Sequence, residues 1–207
     1  YNLNRQQNCL KFFEFGKTYH LNVDERKEYK HLSIVLTGPK SSPHWRGEKE
    51  NVDFFFTKGI VNALIEKIGI SKVKSTAINT ALFDEGQCIK IGKTILVQFG
   101  LLNKNTVAEF GIEQDVYGID FNWQAIVGAI KIKKLKFKPI SKFPEVKRDF
   151  ALLIDDEVTF ESIYKIAKQT DQKILKDIRL FDVYKGGKLA NGKKSYAVSF
   201  TLQDETK

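Results

Sequence analysis

The chain has 207 residues, 42% of them hydrophobic and 12% aromatic, and carries a formal net charge of +9. That much apolar material supplies one large packed domain or two smaller ones and excludes a disordered polyelectrolyte. No apolar run approaches the roughly 20 residues that span a bilayer, and the opening Tyr1-Asn2-Leu3-Asn4 lacks a charged-then-apolar leader, so the reading is cytoplasmic, with no membrane partner.

In chain order, residues 10–16 and 31–37 read as strands, the second ending at the Gly38-Pro39 turn signal. Residues 40–51 form a polar loop. Phe54, Phe55, Ile60, Val61, Leu64, Ile65 and Ile68 then recur at helical spacing, with Asn51 or Asp53 able to cap the start and Gly69 the end. Short strands follow at 75–80, 87–91 and 94–99, the last two joined across Gly92-Lys93. A helical turn at 105–110 and a strand at 116–123 complete a unit without a βαβ rhythm, which predicts an α+β domain with a largely antiparallel sheet.

The charge is uneven. Residues 1–138 hold 21 Lys and Arg against 14 Asp and Glu, whereas residues 139–207 hold 13 against 11. Lys131, Lys133, Lys134, Lys136 and Lys138 form an alternating basic strip that reads either as a rail for RNA phosphates or as a solvated edge strand that lysine protects from aggregation. Pro139 ends that strip and marks the domain boundary. Beyond it, residues 148–154 form a strand, and Thr159 caps a helix with Phe160, Ile163, Ile166 and Ala167 on one face. Strands at 178–184 and 195–202 close a β-α-β-β unit, the last alternating Tyr196, Val198, Phe200 and Leu202 with Ala197, Ser199 and Thr201.

Chemistry-bearing constellations are sparse. Cys9 and Cys88 lack Cys-x-x-Cys spacing and read as reduced structural thiols, and His20, His31 and His44 stand too far apart in sequence for a local zinc pair. Asp84-Glu85 and Asp155-Asp156-Glu157 are adjacent acids in turn-like contexts, and nothing matches a P-loop or a dinucleotide fingerprint.

Several segments, in order, resemble one family. Phe12-Phe13-Glu14-Phe15-Gly16, Trp45, Val52-Asp53-Phe54-Phe55, Lys58-Gly59, Gly86-Gln87, Gly100-Leu101-Leu102 and Asp120-Phe121-Asn122-Trp123 resemble the catalytic-like domain of the bacterial phenylalanyl-tRNA synthetase beta subunit. Lys142-Phe143-Pro144-Glu145-Val146-Lys147-Arg148-Asp149 and Leu180-Phe181-Asp182-Val183-Tyr184-Lys185-Gly186 resemble its C-terminal ferredoxin-fold anticodon-binding domain. The resemblance implies a class II synthetase-like domain, residues 1–138, that packs on the catalytic alpha subunit of a heterotetramer, followed by an anticodon-binding domain, residues 139–207, that stops before the family's last helix and strand. It further implies a strand at 148–154 with a bare edge, tRNA(Phe) as the nucleic-acid partner in place of DNA, and ATP and magnesium for the whole enzyme with no cofactor in this chain.

Class II catalysis needs an arginine-glutamate pair on a strand and a second arginine in a glycine-rich motif. Trp45-Arg46-Gly47-Glu48 imitates only the first, and Arg5, Arg26, Arg46, Arg148 and Arg179 cannot complete the set, so the chain alone is expected to be noncatalytic, with no catalytic residue and no metal ligand. By resemblance, the residues nearest RNA are Lys142, Phe143, Pro144, Arg148, Asp149, Tyr184, Lys185, Lys193, Lys194 and Ser195. Phe143 and Tyr184 offer stacking surfaces, while the lysines and Arg148 offer charge to phosphates or base edges. Each also has a structural alternative: Phe143 as a plug, Tyr184 as a core cap, Arg148 as an ion-pair partner of Asp149 or Asp182. Of Phe54, Phe55 and Phe56, successive helical positions about 100° apart, at least one is expected to meet a partner. The rival function is a stand-alone RNA-binding or scaffold protein with a ferredoxin-like module.

Overall fold

The computed structural model describes residues 1–22, 25–41, 45, 50–71, 73–130, 140–187 and 189–204. The lysine strip, Pro139, His44 and Arg46-Gly47-Glu48 lie outside the described residues. The chain divides into two compact units, Tyr1–Lys134 and Leu135–Lys207.

Unit 1 is built on a six-stranded antiparallel sheet in the order β1-β2-β6-β5-β4-β3. Its strands are β1 (Leu10–Asn22), β2 (Glu25–Thr37), β3 (Lys74–Thr80), β4 (Phe83–Ile91), β5 (Thr94–Leu102) and β6 (Val116–Asn122). Period-2 alternation puts Leu32, Ile34 and Leu36 of β2 on one face with Val97 and Phe99 of β5 and Ile119 and Phe121 of β6, through the pairs Leu32↔Phe121, Ile34↔Ile119 and Phe99↔Ile119. Helix α1 (Phe54–Ile68) buries Val61 and Ile65 in that core, and Phe54 stacks on Phe99 with ring centroids 5.7 Å apart. Phe99, Phe121, Val61 and Ile126 are fully buried. Each such side chain contributes about 1.5–3 kcal/mol on removal from water.

The start of α1 is fixed by Asp53, whose Oδ1 accepts from the Phe56 N–H at 2.6 Å. Its Oδ2 lies 2.8 Å from Lys40 Nζ, and that ammonium, with the capped N–H, holds the Asp53 carboxyl below its ordinary range while Asp53 raises the lysine. Gly69 ends the helix with φ 79°, the left-handed C-terminal stop that its sequence position suggested. At Gly100 the requirement is close approach, since a Cβ there would lie 2.0 Å from the Glu85 carbonyl oxygen.

Two differences from the sequence reading have physical reasons. Strands β1 and β2 run far beyond 10–16 and 31–37, pairing through Asn22↔Glu25, whereas β6 joins β2 only from His31 onward. The outer part of this ribbon has solvent on both faces, so it carries no hydrophobic period to read. Trp123–Ala129 is a helix, α3, so the strand expected to run to 123 ends at Asn122, whose Oδ1 caps the helix by accepting from Ala125 N at 3.0 Å. Helix α2 (Lys104–Ala108) is likewise capped by Asn103 and sits where the helical turn was expected.

Unit 2 holds β7 (Val146–Asp155), helix α4 (Phe160–Thr170), β8 (Leu175–Tyr184) and β9 (Lys193–Leu202), with strand order β7-β9-β8. Thr159 caps α4, and Phe160, Ile163 and Ala167 pack on Leu175, Ile178, Tyr196 and Val198. Ile166, expected on that apolar face, is 65% exposed. Among the described residues β7 pairs with β9 alone, which leaves its other edge bare. No helix of the described residues is long and apolar enough to cross a membrane.

Candidate nucleic-acid interface

The two faces of the unit 2 sheet differ in kind. The face under α4 carries Leu152, Ile154, Ile178, Leu180, Tyr196, Val198 and Phe200. The opposite face is set by the other parity of the same strands. Its cross-strand rows run Leu153–Ser195–Tyr184, Ala151–Ala197–Asp182 and Asp149–Ser199–Arg179. Small residues form the centre, with an aromatic ring, an arginine and a carboxylate at the margins. Such a floor lets planar bases lie close to the backbone while the rims stack or hydrogen-bond.

Tyr184 stays half-exposed at the end of β8, and its hydroxyl folds back over Gly186, where a Cβ would lie 2.6 Å from it. Lys193 Nζ lies 2.5 Å from Asp155 Oδ1, and Lys185 Nζ lies 3.2 Å from Asp156 Oδ1, so the two lysines at this end are held by carboxylates. These pairs are exposed and worth little by themselves. An incoming phosphate competes for the same ammonium groups.

Of the ten residues named from sequence, Asp149, Tyr184, Lys193 and Ser195 share the open face, with Lys185 just past the end of β8. Lys142, Phe143 and Pro144 lie at the other end of the sheet, pinned where Gln203 Nε2 donates to the Phe143 carbonyl at 2.8 Å. The length of β7 separates these groups by roughly 30 Å at about 3.3 Å per residue. They cannot meet on one nucleotide. Arg148 and Lys194 turn to the α4 side instead. Arg148 lines an open apolar groove of about 400 Å³ with Phe150, Leu152, Phe200 and Leu202. Lys194 is 6% exposed, donates to the Asp156 carbonyl at 2.6 Å and lies over the Tyr196 ring, which is a structural role. Sequence reasoning did not single out Arg179 or Leu153; their signal is strand parity with Asp149 and Ser195, which needs the register to be seen.

Unit 1 has its own polar cluster. His31 Nδ1 lies 3.0 Å from Asp120 Oδ1, its Nε2 lies 3.1 Å from Thr18 Oγ1, and Ser33 Oγ donates to Asp120 at 3.2 Å. This network ties β1, β2 and β6 across the face opposite the core. Among the described residues no three of His, Cys, Asp and Glu come together to hold a metal ion.

The family model for the phenylalanyl tRNA synthetase beta chain CLM domain matches residues 1–123. The chain belongs to the phenylalanyl-tRNA synthetase beta chain family. The ferredoxin-fold anticodon-binding domain model matches residues 141–207, so the β7-α4-β8-β9 unit is that family's anticodon-binding fold. Beta subunits of phenylalanine--tRNA ligase from Bacteroides thetaiotaomicron and Fusobacterium nucleatum are 40% and 33% identical over all of this chain. The chain spans 27% and 26% of the length of these curated relatives. A pyrrolysyl tRNA synthetase structure from Desulfitobacterium hafniense covers 61% of this chain and 44% of its own at 14% identity and a TM-score of 0.46.

Proposed function

We propose that this chain supports aminoacylation of tRNA(Phe) as part of a phenylalanine-tRNA ligase beta subunit, with unit 2 binding the anticodon region. The observation that carries the reading is the open face of the β7-β9-β8 sheet, a small-residue floor rimmed by Tyr184, Asp149 and Arg179, in a unit matched by an anticodon-binding family model. In this reading Tyr184 stacks on a base, and Asp149 and Ser195 hydrogen-bond base edges. Lys185 and Lys193 exchange their carboxylate partners for phosphates. Phe143 serves the far end of the same extended segment.

Unit 1 then packs on the catalytic alpha subunit, which supports the family's chemistry in the cytoplasm while ATP and magnesium stay with that partner. Phe13 and Phe15 of β1 support this contact, at 71% and 58% exposed on the core side of the edge strand, with Phe15 edge-on to Trp123. So does Phe55, which is 79% exposed while Phe54 and Phe56 turn toward the core. Large exposed aromatics of this kind anchor protein interfaces.

The test is binding of the chain to tRNA(Phe) and to the same tRNA with an altered anticodon across a salt series. A preference for the native anticodon that persists as salt rises supports base readout. Equal, steeply salt-sensitive binding contradicts it.

A further inference from the structure

We infer that unit 1 carries a second RNA contact, a phosphate-binding patch formed by Lys74, Lys90 and Lys93 at one end of the β3–β4–β5 sheet edge. The inference rests on the tRNA reading above for the identity of the polyanion. Lys74 and Lys90 are directly opposite each other in the β3–β4 register. Like charges in that position repel, and their Cβ atoms are about 4.5–5.5 Å apart. Lys93 occupies the two-residue turn Gly92-Lys93 that joins β4 to β5 next to Lys90. None of the three forms a side-chain hydrogen bond or an ion pair among the described residues.

Acids are sparse in the surrounding sequence. From residue 67 to residue 108 the acids are Asp84 and Glu85, set at the opposite end of β4. Asp84 is already engaged there, accepting from Asn103 Nδ2 at 2.6 Å and from Lys104 N at 3.0 Å. Lysine on an exposed edge strand also blocks aggregation, and Lys74 on β3 could serve that purpose. Lys90 could not, because β4 is flanked by β3 and β5 on both sides. An interior, half-buried lysine facing a second lysine, with no ion-pair partner among the described residues, is stabilised by an anion brought from outside. Three ammonium groups without forked donors suit phosphate oxygens rather than base edges. The patch therefore contributes affinity without sequence preference.

The experiment compares the 207-residue chain with the triple variant Lys74→Gln, Lys90→Gln, Lys93→Gln. A charge-matched control is Lys17→Gln, Lys27→Gln, Lys165→Gln, whose lysines are paired with Glu28, Glu25 and Glu161. The expected result is that the first triple weakens native and anticodon-altered tRNA alike by about 10-fold at moderate salt and lowers the slope of log affinity against log salt by about 2, with the control close to the parent. Restoring charge with Lys74→Arg, Lys90→Arg, Lys93→Arg recovers affinity, which separates lost charge from lost fold. A first triple no weaker than the control overturns the patch. The anticodon preference of the parent chain is read in the same titrations, so loss of that preference with a surviving slope difference sinks the unit 2 reading and keeps the patch. A parent chain that binds neither tRNA overturns both.

Discussion

The two sheets of this chain use the same antiparallel pairing and spend their faces differently. In unit 1 the central strands β5 and β6 have neighbours on both sides, and one sheet face is filled by α1 and by fully buried Phe99, Phe121 and Val97. The described residues of unit 2 form three strands and one helix, their buried core is Leu175, Ile178, Tyr196 and Val198, and no residue of α4 is fully buried. Less apolar area removed from water means less stability to draw on. The lesson is that each sheet covers one face, the smaller unit more thinly, and a ligand bound on the face that its described residues leave open stabilises the fold that presents it.

Core truncations test this contrast most strongly. Phe99→Ala should cost about 3–5 kcal/mol, and Val198→Ala about 1–2 kcal/mol, because less is removed and the thinner core collapses more readily. Urea titration followed by Trp123 fluorescence for unit 1 and by amide exchange for unit 2 checks both values. A larger cost at Val198 than at Phe99 would break the comparison.

The two faces of unit 2 can be separated by a pair of substitutions. Tyr184→Ala should weaken tRNA binding by about 1–3 kcal/mol, the worth of one stacked base, with little change in stability. Lys194→Met should do the reverse, costing about 1–3 kcal/mol of stability by leaving the Asp156 carbonyl without its donor, while the folded protein keeps its RNA affinity. Calorimetric titration beside thermal melting distinguishes them.

At the start of α1, Asp53→Ala should cost about 1 kcal/mol through the lost cap, and Asp53→Asn less, because an amide oxygen can still accept from Phe56. The folded carboxyl sits below its unfolded value, near 3.9, so its contribution is present above that pH and is lost as pH falls through the folded value. Acid destabilisation of unit 1 below about pH 4 should therefore be shallower in the alanine variant, as followed by fluorescence against pH. The smallest effect concerns β7. Antiparallel geometry directs alternate N–H groups toward β9 and the rest outward, so amide exchange along Val146–Asp155 should alternate slow and fast. Uniform protection in a monomer would mean that something covers the edge.

What could be read from sequence follows the same division. Elements with a buried face announced themselves: α1 by its helical period with Asp53 and Gly69 at its ends, β9 by the alternation of Tyr196, Val198 and Phe200. The outer ribbon of β1 and β2 was silent because Lys17, Thr18, Tyr29 and Lys30 pair with one another and with no core. Helix α3 was hidden because Asn122 is at once the last residue of a strand and a cap, and no break in composition separates the two roles. Within the candidate interface, the family resemblance named Tyr184 and Lys193 but could not tell Lys193 from Lys194, or Arg148 from Asp149. Neighbours in a strand face opposite ways, and only the position of α4 decides which face stays open.

The most direct test of the account is a backbone amide map of the chain titrated with the anticodon stem-loop of tRNA(Phe). The account predicts perturbation at Leu153, Ser195, Ala197, Ser199 and Tyr184, with the groove residues Phe150, Phe200 and Leu202 unchanged. Perturbation confined to the groove and the α4 side, with a silent open face, would contradict it.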